Sequence, residues 1–557
     1  MSSRINRTIL PLILCGALLA GCGGTAVSAE AAAVSETDGS VVAAPAETID
    51  TGALFSTRDM DAGYDESAAV PIRLNDDTAL CSSSAVAIDG GKITLLAEGV
   101  YILSGTLEDG QVVVDAGNGD KVQIVLSGAD ITCASSAAIY CREADKVFLT
   151  LAAGTENSLA NSGSFQPVDD SNIDAVVFSR TDLTLNGSGS LTVTSPGGHG
   201  VVSKDELTVT GGSYTVTAAK HGFTGKDSVA IAGGSFTITS GSDGIHAENA
   251  DDAAKGFLCI AGGSFTIDAR GDAISASGQL QIDGGSYALT AGGGSESATM
   301  KAGDAMQRPG FRDFSSAVAS PDAADATEDK GSCKGIKADG TLTVNGGSFD
   351  LDTADDAVHS GADVTITGGE WTIRTGDDGI HADAAVIIQT GRFTISDCYE
   401  GVEGQSVTIH GGTLDITARD DGINAAGGAD GSGTAYGFGR QDPFTVDDSC
   451  AITINGGEIT IVSDGDCLDS NGSLTINGGT LKLSCSGNGN TAIDSNGAYA
   501  NNGGSITTND GSESGAGGMG SGRGGMGGGK PFGAEKAGGD GMPREPGQQR
   551  PMPGAAA

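Results

Sequence analysis

Aromatic residues make up only 4% of this 557-residue chain, with a single Trp, and 30 Lys and Arg stand against 72 Asp and Glu. That shortage of positive charge, a formal −42, argues against DNA, RNA and anionic membrane surfaces as partners, because each rewards clustered Lys and Arg. It favours cations, neutral polymers, or acidic polymers bridged by cations. The 11 cysteines include no CxxC pair, so they lend no support to zinc or redox chemistry. Six scattered His give none to a Ser/His/Asp nucleophile, and four of them (His199, His221, His246 and His381) follow a repeat.

The apolar run from Ile9 to Ala20, preceded by Arg4 and Arg7, is too short to span a bilayer. It closes on Leu19-Ala20-Gly21-Cys22, which resembles the bacterial lipobox. Residues 1–21 are therefore expected to be an export signal, with Cys22 lipidated on the outer face of the membrane. Residues 22–53 read as a flexible tether. Nine cysteines remain beyond Cys15 and Cys22, an odd number that cannot all pair. Cys133 with Cys141, or Cys467 with Cys485, are possible pairs; buried single thiols are the favoured reading.

What the chain has in abundance is Gly, 92 residues. Gly-Gly or X-Gly steps recur at Gly211, Gly233, Gly262, Gly284, Gly346, Gly368, Gly391, Gly411, Gly456 and Gly478, most often 22 residues apart. A period of about 22 in a Gly-, Thr-, Val- and Asp-rich chain predicts a solenoid whose repeats cover one another's apolar faces. Within a repeat, Val364 and Ile366, then Trp371 and Ile373, alternate with outward Thr. The expected fold is all-β, a right-handed parallel β-helix with coils of about 22 residues. Residues 54–180 form an irregular β-rich section capping its start, and 181–510 the regular coils, with insertions at 249–256, 293–332 and 427–448. Residues 511–557, rich in Gly, Met and Pro, are expected to stay unfolded. Tyr214, Phe236, Phe265, Tyr287, Phe349, Trp371 and Phe393 occupy one repeat position. Since Leu414, Ile459 and Leu481 replace them further on, an internal stack is the better reading than a sugar platform.

Aligning the repeats also brings acids into register: Asp243, Asp272, Asp356, Asp378, Glu400, Asp421 and Asp466, with Asp355, Asp377 and Asp420 one residue earlier. Equivalent positions on neighbouring strands lie about 4.8 Å apart. Two charges at ~5 Å repel by about 3 kcal/mol at an effective dielectric near 20. Calcium, taking six to eight oxygens in adaptable geometry, relieves that cost. The candidate sites are Asp355, Asp356, Asp377 and Asp378, extended by Glu400 or Asp383, and Asp420 and Asp421 with Asp466 and Asp469. Asp-Gly turn chemistry is the bland alternative. His381, Asp383 and Arg374 are candidate ligand-binding residues.

Residues 54–502 resemble the bacterial carbohydrate-binding β-helix family typified by clostridial cellulose- and polygalacturonate-binding surface proteins. Carrying the resemblance are Asp61-Ala-Gly-Tyr-Asp-Glu-Ser, Tyr101-Ile-Leu-Ser-Gly-Thr-Leu, Asp120-Lys-Val-Gln-Ile-Val-Leu-Ser-Gly-Ala-Asp-Ile-Thr and Lys226-Asp-Ser-Val-Ala-Ile-Ala-Gly-Gly-Ser-Phe-Thr-Ile. The resemblance implies a fold similar to pectate lyases, bound Ca2+ and recognition of plant cell-wall polysaccharide, polygalacturonate or cellulose, without cleavage. The pectate-lyase likeness extends to Asp355, Asp356, Asp377 and Asp378 as metal ligands. The expected protein is a monomer that meets the membrane only through its lipid and binds no nucleic acid. One alternative is lyase chemistry, with Lys334 or Lys337 as the base beside calcium. Another is a structural adhesin or spacer whose acids only solubilise it.

Overall fold

Alternation of apolar and hydroxyl side chains, with Gly at the corners, yields strands buried on one face only. Ser235–Ser240 and Ser264–Ala269 both bury every second residue and expose the Ser, Thr or Asp between. The computed structural model describes residues 48–167, 172–249, 251–298, 331–426, 446–487 and 489–515. Within them the protein is nearly all β, a single long and mostly parallel sheet.

Three rows of strands build it. A first row includes Leu342–Val344 and Val364–Ile366, a second Ser348–Thr353 and Glu370–Thr375, and a third Val358–Ser360 and the start of Ile380–Ile388. Each strand pairs in parallel with its counterpart one repeat on, as Phe349 with Trp371 and His359 with His381. The pairing crosses the expected 180/181 boundary unbroken, since Asp182 pairs with Lys146 and Leu191 with Asn157. Antiparallel pairs, Val70–Asp76 with Thr78–Leu80 and Val86–Asp89 with Lys92–Leu95, open the sheet.

The aromatic column lies inside. Tyr214, Phe236, Phe265, Tyr287, Phe349, Trp371 and Phe393 stack ring on ring, with centroids 3.8–5.8 Å apart. All are buried. Tyr214 and Tyr287 donate their hydroxyls to the Gly211 and Gly284 carbonyls at 2.7 Å, and the Trp371 indole N–H donates to the Gly368 carbonyl at 3.2 Å. The corner Gly thus satisfies the one polar atom of each of these three rings. The next Gly has positive φ, +109° at Gly369, a backbone state a side chain resists.

Part of the expected tether is ordered. Ile49 donates its N–H to Gln281 Oε1 at 2.8 Å, and Thr51 its hydroxyl to Asp283 Oδ2 at 2.5 Å. Further along, buried Asp59 meets Lys146 at 2.8 Å and accepts from Thr184 at 2.6 Å. Residues 48–60 therefore strap the outer face of the first row. Cys81, Cys133, Cys141, Cys259, Cys398, Cys450, Cys467 and Cys485 are free thiols, all but Cys81 buried. The lipidation position Cys22, residues 299–330 and 427–445 of the insertions, and the tail from 516 lie outside the described residues.

Candidate functional site

The acids predicted to share a register do so at the turn between the second and third rows, and the backbone explains why. Every ladder Asp turns one oxygen to the amide of the equivalent residue on the next repeat, whereas Glu400 accepts from the Asn424 side chain at 3.1 Å. Asp272 donates its N–H to Asp243 Oδ1 at 2.9 Å, Lys334 to Asp272 Oδ1 at 2.7 Å, and Asp378 to Asp356 Oδ1 at 3.2 Å. Glu400 donates to Asp378 Oδ1 at 3.0 Å and Asp466 to Asp421 Oδ1 at 2.6 Å. Upstream, His221 Nδ1 fills the same role, accepting from the Asp243 N–H at 3.0 Å. Turn capping therefore takes Oδ1 and leaves the second oxygen free for other partners.

What that second oxygen meets is a column three residues further on, in pairing register along the third row: His246, Ser275, Lys337, His359, His381, Glu403, Asn424 and Asp469. Of these, His246, Ser275, His359, Glu403 and Asn424 were missed as site residues, as was Asp494 beyond the last repeat. The signal was in the sequence, since each stands three residues after a ladder position. It becomes legible only once the third-row strand is known to point that residue to the same side as the ladder.

The column divides into three stretches. In the first, His221, Asp243 and His246 place ligand atoms within 4.8 Å of one another, the two imidazoles stacked at 4.4 Å. In the second, the acids have partners. Lys334 is buried with its ammonium 3.0 Å from Asp355 Oδ1 and 2.8 Å from Asp356 Oδ2. Burial works against the Lys334 charge, but Asp356 and Asp355 outweigh it and hold the amine well above its usual range. Burial likewise opposes the Asp356 charge, yet Lys334 and then His359, whose Nδ1 is 2.9 Å away, hold that carboxyl far below the ordinary value. Lys334 is thus a counter-ion in the wrong state to accept a proton. Lys337 is 3.4 Å from Asp339 and 4.0 Å from Asp272. His381 sets Nδ1 between Asp378 Oδ2 at 3.3 Å and Glu403 Oε2 at 3.2 Å, with Asp383 Oδ1 3.6 Å from Nε2. Burial disfavours its charge, but Asp378, Asp356 and Glu403 raise it to about 9.

The third stretch, from Glu400 to Asp494, has no Lys, Arg or His at ladder or column positions. Asp466, Asp469 and Asp494 bring carboxylate oxygens within 4.8 Å of one another. Burial first, then neighbouring acids, pushes Asp421 up to about 9, Asp466 to about 7 and Asp469 to about 6. Glu400 is raised well above the ordinary value for the same reasons, and its buried Oε2 has no hydrogen-bond partner. Oxygen-only ligands under mutual repulsion are the donor set a hard divalent cation prefers. Of the remaining expected residues, Asp377 joins Asp355 and Asp356 in a further cluster. Asp420 neighbours Asp421, whose carboxyl its charge helps to raise. Arg374 stands apart, on the outer face of the second row, 3.3 Å from Asp352.

Known proteins place this geometry in context. A 35% identical stretch of 146 residues is shared with a carbohydrate-binding domain-containing protein of Acetivibrio thermocellus; it covers 26% of this chain and 51% of the relative, so the chain spans about half that protein's length. Among solved structures, the polysaccharide lyase-like protein from C. thermocellum, a gadolinium derivative, is 27% identical. That likeness covers 54% of this chain and 97% of the other, with a TM-score of 0.38. The model of the carbohydrate-binding domain-containing protein family matches residues 89–379 and 379–514, well over half of the sequence, and the chain belongs to that family.

Proposed function

We propose that this is an extracellular carbohydrate-binding protein, held to the membrane by a lipid on Cys22, that loads Ca2+ on its acid ladder and retains plant cell-wall polysaccharide without cleaving it. The scaffold we infer is a right-handed parallel β-helix in which each three-strand repeat is one coil. The observation that carries the reading is the stretch from Glu400 to Asp494, where buried Glu400 and the half-buried Asp421, Asp466, Asp469 and Asp494 follow one another at ladder and column positions that hold no Lys, Arg or His. Calcium at Asp466, Asp469 and Asp494, whose oxygens lie within 4.8 Å of one another, would neutralise them, ease the charge beside Asp421 and leave coordination sites open to a uronate carboxylate. Polygalacturonate then binds an acidic protein through shared ions, and cellulose through the ordered outer faces of the rows. Family membership supports the carbohydrate. Lys334, locked between two carboxylates, supports binding over lyase chemistry.

Binding of polygalacturonate and of cellulose, each with calcium and with chelator, tests this. Retention of polygalacturonate that chelator abolishes is expected. Failure to retain either polymer with calcium present overturns the reading in favour of a structural spacer. Release of unsaturated uronides, seen as ultraviolet absorbance, would instead establish a lyase.

A further inference from the structure

We propose that Asp378, His381 and Glu403 form a second kind of metal site, selective for a nitrogen-preferring divalent ion such as Zn2+ and distinct from the oxygen-only calcium stretch beside it. His381 Nδ1 stands 3.3 Å from Asp378 Oδ2 and 3.2 Å from Glu403 Oε2, and the three ligand atoms lie within 4.8 Å of one another. Tetrahedral zinc with bonds of about 2.0–2.1 Å separates its ligands by roughly 3.3–3.4 Å, which matches the two separations from His381 Nδ1. An imidazole between two carboxylates suits zinc, copper or nickel; calcium takes oxygen alone.

Two further observations point to a cation. His381 is 1% exposed and its Nε2 has no hydrogen-bond partner, yet Asp383 Oδ1 waits 3.6 Å away. Metal on Nδ1 fixes the proton on Nε2 and turns that approach into the carboxylate–histidine–metal relay by which ligating imidazoles are oriented. On the next repeat Glu400 Oε2 is buried without a hydrogen-bond partner, and its charge is set against those of Asp378 and Glu403. A divalent ion at the triad relieves all three. The outer side is open, with Glu403 and Asp383 18% and 44% exposed, so an ion has a way in. The cysteines play no part, which is why thiolate spacing in the sequence could not reveal it.

The full chain, stripped with chelator, should bind one Zn2+ at this site in the presence of millimolar calcium, by titration calorimetry and metal analysis. Co2+ in its place should give the visible absorption of a four-coordinate, nitrogen-ligated ion. His381→Gln should remove this equivalent of zinc and its share of the cobalt absorption while leaving calcium uptake unchanged. Asp383→Asn, at an exposed position that does not threaten folding, should weaken zinc about 10–100-fold. No zinc uptake by the stripped chain, or uptake unchanged in both variants, overturns the proposal. Neither result depends on whether glycan is bound, so this site and the calcium reading fail separately.

Discussion

Lys334 shows how one side chain decides the character of a stretch of the ladder. Its ammonium touches two carboxylates at 2.8–3.0 Å in a buried setting. Replacing it with Met leaves Asp356 charged, buried and short of its counter-ion, which should cost about 3–5 kcal/mol. Chemical denaturation would show the loss, and added calcium should recover part of it if an ion can take the vacated place. At Trp371, stacked 3.8 Å from Phe349, truncation to Ala should cost about 3–5 kcal/mol through the cavity it opens. Polysaccharide retention by the folded variant should not change; a selective loss of retention would show the aromatic column to be a binding platform after all. That the rings were internal was legible from Leu and Ile taking the same slot. That Lys334 silences the doubled acids ahead of it was not, because a Lys in the place of an acid says nothing about which way its stem turns.

At the scale of the element, the strap of residues 48–60 depends on Asp59. Burial raises the cost of its charge, but Lys146, Ser56 and Thr184 outweigh that, and the folded carboxyl lies below its ordinary 3.8. A lowered acid contributes stability that is present above the unfolded value and lost as pH falls through the folded one. Hydrogen exchange in residues 48–64 should therefore stay slow at pH 5 and accelerate below about pH 3.8, and Asp59→Asn should show fast exchange already at pH 5 with the third row unaffected. Corner glycines form a second such element. Gly369 has φ +109°, and an added Cβ would stand 2.9 Å from the Trp371 indole nitrogen and 3.1 Å from the Gly347 carbonyl. Gly369→Ala should cost about 1–3 kcal/mol in thermal or denaturant unfolding. Composition alone marked 22–53 as a tether; burial of Asp59 and the hydrogen bonds of Ile49 and Thr51 come from contacts more than 100 residues away in sequence.

Across the whole molecule, charge is uneven along the column, with protein cations in one stretch and none in the next. In chelator, Asp421, Asp466 and Asp469 hold their protons to about 9, 7 and 6. A raised acid contributes fully below its unfolded value, near 3.9, and loses that contribution as pH rises through the folded one. Metal-free protein should therefore melt at progressively lower temperature from pH 4 to pH 9, and saturating calcium should flatten the decline. Asp466→Asn with Asp469→Asn should lessen both the decline and the calcium response. A melting temperature indifferent to calcium at pH 8 would favour acids that only solubilise the molecule.

The sequence by itself determined the period, the all-β class, the aromatic stack and the register of the acids, because a repeat forces equivalent residues into one column whatever the fold's details. Tertiary structure decided what each acid does. One oxygen of each ladder Asp is committed to the amide of the next repeat, and only pairing of the third-row strands reveals that the other lies beside Lys334 and His359, or His381 and Glu403, or column positions without a cation. The physical reason is that a charge is defined by its neighbours in space. Repetition along the chain specifies which residues are neighbours between repeats, but leaves open the direction in which each side chain leaves its own.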